Sequence, residues 1–162
     1  MFRAPGASDW LFASAVFAAF GVFATAFGLA SGLFAFELER DIGALLHIAV
    51  VAMVFPGLFE ELMFRIPIMY AAQRMSGLRL LSFCASSLVA FVLWHPLNAT
   101  FLLTVARELF FDWRFLVIAA ALGTSATLIA LRTRTIWTAV VFHWLAVVAW
   151  KAFLGGPKFL TA

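Results

Sequence analysis

The sequence predicts an all-α membrane protein, a bundle of about five transmembrane helices. Hydrophobic residues make up 65% of the chain and charged residues only 12%. Mean hydropathy is +1.07, beyond what a soluble globular domain carries. The apolar residues gather in runs long enough to cross a hydrocarbon core of roughly 30 Å. Short charged clusters punctuate the runs, as loops at a membrane surface do. At 162 residues the chain reads as a single integral membrane domain, 1–162.

The first run covers about 10–36 and is rich in Phe, Ala and Gly. Its small residues, among them Gly21, Ala24, Gly28, Ala30 and Gly32, permit close helix packing. It follows Arg3 and is longer than the apolar region of a leader peptide, so it reads as a retained first helix. Glu37-Leu38-Glu39-Arg40-Asp41 then forms a polar turn. The second run, about 42–72, contains Glu60-Glu61-Leu62-Met63-Phe64-Arg65 between Pro56 and Pro67. Proline removes a backbone donor, so this span is expected to be kinked on both sides of the acidic pair. A helix restarting at Pro56 places the glutamates in its first turns, where the helix dipole favours carboxylates.

A basic turn (Arg74, Gly77, Arg79) leads to a third span of about 80–95, stopped or kinked by Pro96. The stretch 97–112 is apolar yet carries Asn98, Arg107, Glu108 and Asp112. It is short for a crossing and is expected to form an interfacial or re-entrant helix. A fourth span of about 113–131, the basic loop Arg132-Thr133-Arg134-Thr135 and a fifth span of about 136–154 complete the bundle. Gly155-Gly156-Pro157 and a short tail follow. No internal repeat or low-complexity segment is present.

The net charge of +3 and pI near 9.8 invite a nucleic-acid reading. The 11 Lys and Arg are scattered between apolar runs instead of forming a patch, so no nucleic-acid partner is expected. Orientation does not follow from them either. Arg3, Arg74, Arg79, Arg132 and Arg134 fall on one side, and Arg40, Arg107, Arg114, Lys151 and Lys158 on the other. The lone Cys84 has no partner for a disulfide or a cysteine metal site and reads as a small core residue.

Buried charge is the costly feature. An ionised side chain at the bilayer centre costs roughly 2.5–3.5 kcal/mol unless it pairs or meets water, so Glu60, Glu61 and Arg65 mark a functional site by default. Glu61 and Arg65 are four apart, on one helix face, and able to pair. Glu60 points roughly 100° away round the helix. That suits a division of labour, with one carboxylate held by Arg65 and the other free to act on water. His95 ends the third span, one turn after Phe91, and His143 lies deep in the fifth, where an imidazole needs a partner or a cavity. His47 lies outside this set and reads as a packing histidine.

In this order, Glu60-Glu61-x-x-x-Arg65, Phe91-Val92-Leu93-Trp94-His95 and a late His143 resemble the CPBP family. That CAAX-protease and bacteriocin-processing group includes the type II CAAX prenyl endopeptidases. The resemblance spans roughly residues 50–150 and implies a glutamic-type intramembrane protease with no metal or other cofactor. It implies Glu60 as the general base on the attacking water and Glu61, bound to Arg65, as the orienting carboxylate. It further implies His95 as an aid to the water or the leaving amine, and His143 as the oxyanion donor. The family's third motif ordinarily continues His-x-x-x-Asn or His-x-x-x-Asp, whereas this chain has Val147. Asn98 is the alternative oxyanion support. The implied partners are the bilayer and a membrane-associated protein or peptide cut near its anchor. The implied location is a bacterial or archaeal cytoplasmic membrane, crossed several times.

Other readings stay open at this point. Two Glu and two His suit a metal-dependent membrane hydrolase, although Arg65 repels a cation. Gly123-Thr124-Ser125 with His143 is loosely similar to the rhomboid serine proteases. A non-enzymatic immunity or binding module that keeps the pocket is the remaining class, and Val147 is compatible with it.

Overall fold

The computed structural model describes residues 1–156, which leaves Pro157 and Lys158 outside the described part. It is helical throughout: the described residues contain no strand, only an isolated bridge between Glu37 and Leu154. Five helical segments are long and apolar enough to cross a membrane, at 7–30, 42–71, 77–101, 113–133 and 136–153.

Helix α1 spans Ala7–Ala30. It stops six residues before the end of its apolar run because Gly32 takes a positive φ of 71°, a conformation glycine adopts freely. The chain folds back there, and the N–H groups of Leu33 and Phe34 both bond the Gly28 carbonyl at 2.9 Å. The linker to the next helix then runs beside the end of α7 (Ile136–Phe153). Glu37 N–H donates to Phe153 O at 3.1 Å and Glu39 N–H to Ala152 O at 2.8 Å, satisfying carbonyls that a helix end leaves open.

The second span is broken in the expected place. Helix α2 (Ile42–Ala52) runs into a π-helical turn (Met53–Leu58), and α3 (Phe59–Ala71) continues from it. Phe55 leaves helical geometry at φ −129°, ψ 113°, directly before Pro56, whose peptide bond is cis. Pro67 is carried inside α3 without ending it. Trp144 braces the break from α7, its indole N–H donating to Ala49 O at 2.8 Å. Gly57 fits beneath it, since an added Cβ there would meet Ala52 O at 2.8 Å.

Helix α4 spans Gly77–Phe101 and continues through Pro96, so of the expected stop or kink the stop does not occur. Proline takes one donor from the ladder, and the turns on either side keep theirs. Thr100 Oγ1 bonds Pro96 O at 2.7 Å in the next turn. The re-entrant helix expected over 97–112 is also absent as one element. Its first residues extend α4, and the rest forms a 3₁₀ turn (Thr104–Ala106) and the four-residue α5 (Arg107–Phe110). Asp112, Glu108 and Arg107 crowd that stretch with charge, and Asp112 caps the next helix by accepting from Arg114 N–H at 2.8 Å.

Helix α6 (Trp113–Thr133) is the centre of the bundle, packed against α1, α3, α4 and α7. Its buried residues Phe115, Ile118, Ala119, Leu122, Ala126, Ile129 and Ala130 recur at three and four, a continuous stripe. Helix α2 sits apart, touching α7 and the π turn but neither α1 nor α4. The N-terminal residues strap the α6–α7 turn: Ile136 N–H donates to Met1 O at 3.0 Å and Thr135 Oγ1 to Arg3 O at 2.7 Å.

A Cβ added at Gly28 would run into the Phe34 ring. Gly28→Ala is therefore expected to lower stability by about 1–3 kcal/mol, as overpacking does, measured by unfolding in mixed detergent.

Candidate active site

The break before α3 delivers both glutamates to its first turn, and both are buried. They meet different fates. Glu61 has no exposed surface, and both of its oxygens are occupied. Oε2 accepts from Arg65 Nε at 2.9 Å, the contact that i,i+4 spacing predicts. Oε1 accepts from His143 Nδ1 at 2.8 Å, across the α3–α7 interface. Arg65 is also fully buried: Nη1 reaches Thr127 Oγ1 on α6 at 3.4 Å, and Cζ lies 4.8 Å from the Phe91 ring centre. The buried Glu61 thus has a cation on one side and an imidazole donor on the other. That is the condition under which a buried pair is tolerated.

Glu60 is held differently. Its Oε2 is buried and has no hydrogen-bond partner, and the indole N–H of Trp94 is in the same state. Both residues line a cavity of about 570 Å³ that also takes in His95, Asn98, His143 and Val147. A buried, unsatisfied carboxylate oxygen on a residue that borders a cavity calls for an explanation. A water molecule or a substrate N–H would supply one.

The histidines face this cavity in defined tautomers. His95 Nδ1 lies 3.1 Å from Phe91 O. A carbonyl only accepts, so Nδ1 carries the proton and the neutral ring keeps a lone pair on Nε2. Phe91, Phe110 and Phe115 hold that ring edge-on at 5.2–5.3 Å between centroids. His143 Nδ1 is committed to Glu61, which leaves Nε2 as its remaining polar atom.

The structure therefore brings Glu60, Glu61, Arg65, His95, Asn98 and His143 to one place. His47 departs from its expected packing role: it is exposed and lines the same cavity from α2. Ser125 is not on the cavity wall. Among the described residues, no group of three or more His, Cys, Asp or Glu is placed to hold a metal ion. The Thr127 contact left no trace in the sequence, whereas Trp94 stands within the Phe91–His95 motif and its spacing could have singled it out.

These features define a multi-pass membrane protein with a carboxylate, arginine and histidine cluster buried between its helices. Residues 42–149 match the model of the Rce1-like family, described as type II CAAX prenyl endopeptidase Rce1-like. The chain belongs to that family, whose activity implies a protease with membrane-associated substrates. No curated protein and no solved structure matched the chain.

The two glutamates should separate in stability. Glu61→Ala strands Arg65 without an anion and is expected to cost about 3–5 kcal/mol in detergent unfolding. Glu60→Gln removes a charge whose buried Oε2 is unpaired and should stay within about 1 kcal/mol of the wild type.

Proposed function

We propose that this protein is an intramembrane endopeptidase that hydrolyses a peptide bond near the membrane anchor of its substrate, with Glu60 as the base. The observation that carries this reading is the contrast between the glutamates. Glu61 is saturated by Arg65 and His143, while Glu60 leaves its buried Oε2 without a hydrogen bond and lines a cavity together with both histidines.

A water between Glu60 and the Nε2 lone pair of His95 gives its proton to Glu60 as its oxygen attacks the carbonyl carbon. Charge then develops on the former carbonyl oxygen. His143, steadied by Glu61 through Nδ1, offers Nε2–H to that oxygen when the ring carries its second proton. Collapse of the tetrahedral intermediate returns the proton from Glu60 to the leaving nitrogen, so the base ends as it began. Val147 lines the cavity one turn past His143 and has no donor to add. Asn98, one turn past His95 on α4, is the amide on the same wall and takes that role.

The metal-hydrolase reading is weakened by Arg65, whose Nε occupies a Glu61 oxygen that a cation would need. Prenylated CAAX proteins are the substrates that the family description suggests.

Cells carrying the wild type or Glu60→Ala, compared for protein termini in their membranes, test the reading. A new terminus that appears only with the wild type is expected. Equal terminus sets at equal protein levels would instead favour a binding or immunity module. With the substrate in hand, Glu60→Gln should abolish turnover of the purified protein, and chelator should leave wild-type turnover unchanged. Asn98→Ala should lower kcat by about a hundredfold or more with KM little altered.

A further inference from the structure

Helix α1 contributes Phe17, Phe20 and Ala24 to the cavity wall, and α4 contributes Trp94 beside His95. Trp94 has no part in the chemistry proposed above, yet it carries a polar atom in a costly place. An indole N–H inside a protein ordinarily finds an acceptor. That of Trp144 donates to Ala49 O at 2.8 Å, and even the exposed Trp137 reaches Phe2 O at 3.4 Å. Trp94 Nε1 is buried and makes no hydrogen bond. If the ring were packing bulk alone, a phenylalanine would serve without the buried donor.

The Trp94 ring lies over the turn that carries Glu60. Its centroid is 6.4 Å from that of Phe59, the residue before Glu60. It is 6.5 Å from that of Phe64, one turn beyond Glu60 on the same helix face. The indole N–H is near enough to act on the Glu60 carboxylate as a donor, yet falls short of hydrogen-bond geometry. Among the described residues the buried side-chain atoms without a partner are Glu60 Oε2, Arg65 Nη2 and Trp94 Nε1. Glu60 Oε2 is the acceptor of the three. The Arg65 guanidinium is held toward Glu61 and Thr127, which leaves Trp94 as the donor beside it. A small swing of either side chain joins the two.

We propose that Trp94 is the positioning residue for the base: its indole N–H bonds Oε2 of Glu60 and thereby turns Oε1 toward the water and His95. The last torsion of a glutamate has only a broad preference, so a partner on one oxygen decides where the other points. Oε2 is sealed off, which makes Oε1 the oxygen that a water can reach. Oε1 takes the proton of the water and returns it to the leaving nitrogen, while Trp94 keeps its own. Trp94 and His95 are neighbours on α4, so one helix both orients the base and supplies the imidazole. This role rests on the protease reading, but the hydrogen bond itself can be measured without cleavage.

The test uses the full protein in lipid nanodiscs and the substitution Trp94→3-benzothienylalanine, which keeps the shape of the indole and puts sulfur where the N–H was. Infrared spectra identify the Glu60 band by its loss in Glu60→Gln. That band should move in the benzothienyl variant and stay in place in Trp94→5-fluorotryptophan, which retains the N–H. An unmoved band in a folded benzothienyl variant would overturn the proposal. Solid-state NMR on the wild type guards against a variant that fails to fold. With indole nitrogens and glutamate carboxyl carbons labelled, a Trp94–Glu60 contact at hydrogen-bonded distance supports the proposal, and its absence refutes it.

Kinetics then separate positioning from packing. With a substrate in hand, the benzothienyl variant should lose about tenfold to a hundredfold in kcat, the size of one hydrogen bond to a charged group, with KM changed less than about twofold. The fluorotryptophan variant should turn over like the wild type. An unchanged kcat, or a loss confined to KM, would overturn the positioning role. If the contact is found while the wild type cleaves no membrane protein, the protease reading fails and the contact stands.

Discussion

The structure turns on one buried carboxylate. Glu61 joins two helices that are far apart in sequence, bonding Arg65 within α3 and His143 on α7, 82 residues away. In hydrocarbon an unpaired ion costs several kcal/mol, so the three groups are much more stable together than apart. The same contacts hold the histidine ring in register. Arg65 extends the cluster to α6 through Thr127 and to α4 through the Phe91 ring. Four helices thus meet at one buried charged cluster, which borders the cavity that Glu60 and both histidines line.

The break in the second span serves that cluster. An unbroken helix would place Glu60 and Glu61 mid-helix, where backbone groups are already paired. The π turn and the non-helical Phe55 place them in the first turn of a new helix, whose dipole favours negative charge. Trp144, next to His143, bonds the Ala49 carbonyl just before the break, so α7 steadies both the histidine and the bend. Irregular backbone at membrane depth is tolerated where protein buries it or a cavity adjoins it. Phe55 and Pro56 do line the cavity.

The helix ends show which local signals hold and which yield. Pro56 breaks its helix, whereas Pro67 and Pro96 are carried inside theirs. Each proline removes a single donor. At Pro56 a second element, Trp144 with Gly57 beneath it, braces the altered backbone. The stretch after Pro96 was legible as unusual because it mixes charge with apolar residues. Its division between a helix extension and a short turn depends on packing against α4 and α6.

Hydropathy and spacing alone settle the five spans, the order of the polar motifs and the pairing of Glu61 with Arg65, because each follows from composition or from helix periodicity within a few residues. Which glutamate remains open is another matter. It depends on His143 arriving from a distant helix, and no local rule ties positions 61 and 143 together. The cavity wall from α1 is equally invisible in sequence. That helix is apolar on every side, so hydrophobic patterning cannot say which face turns inward. In a membrane, side-chain shape and buried polar contacts choose the packed face, and those exist only once the helices have come together.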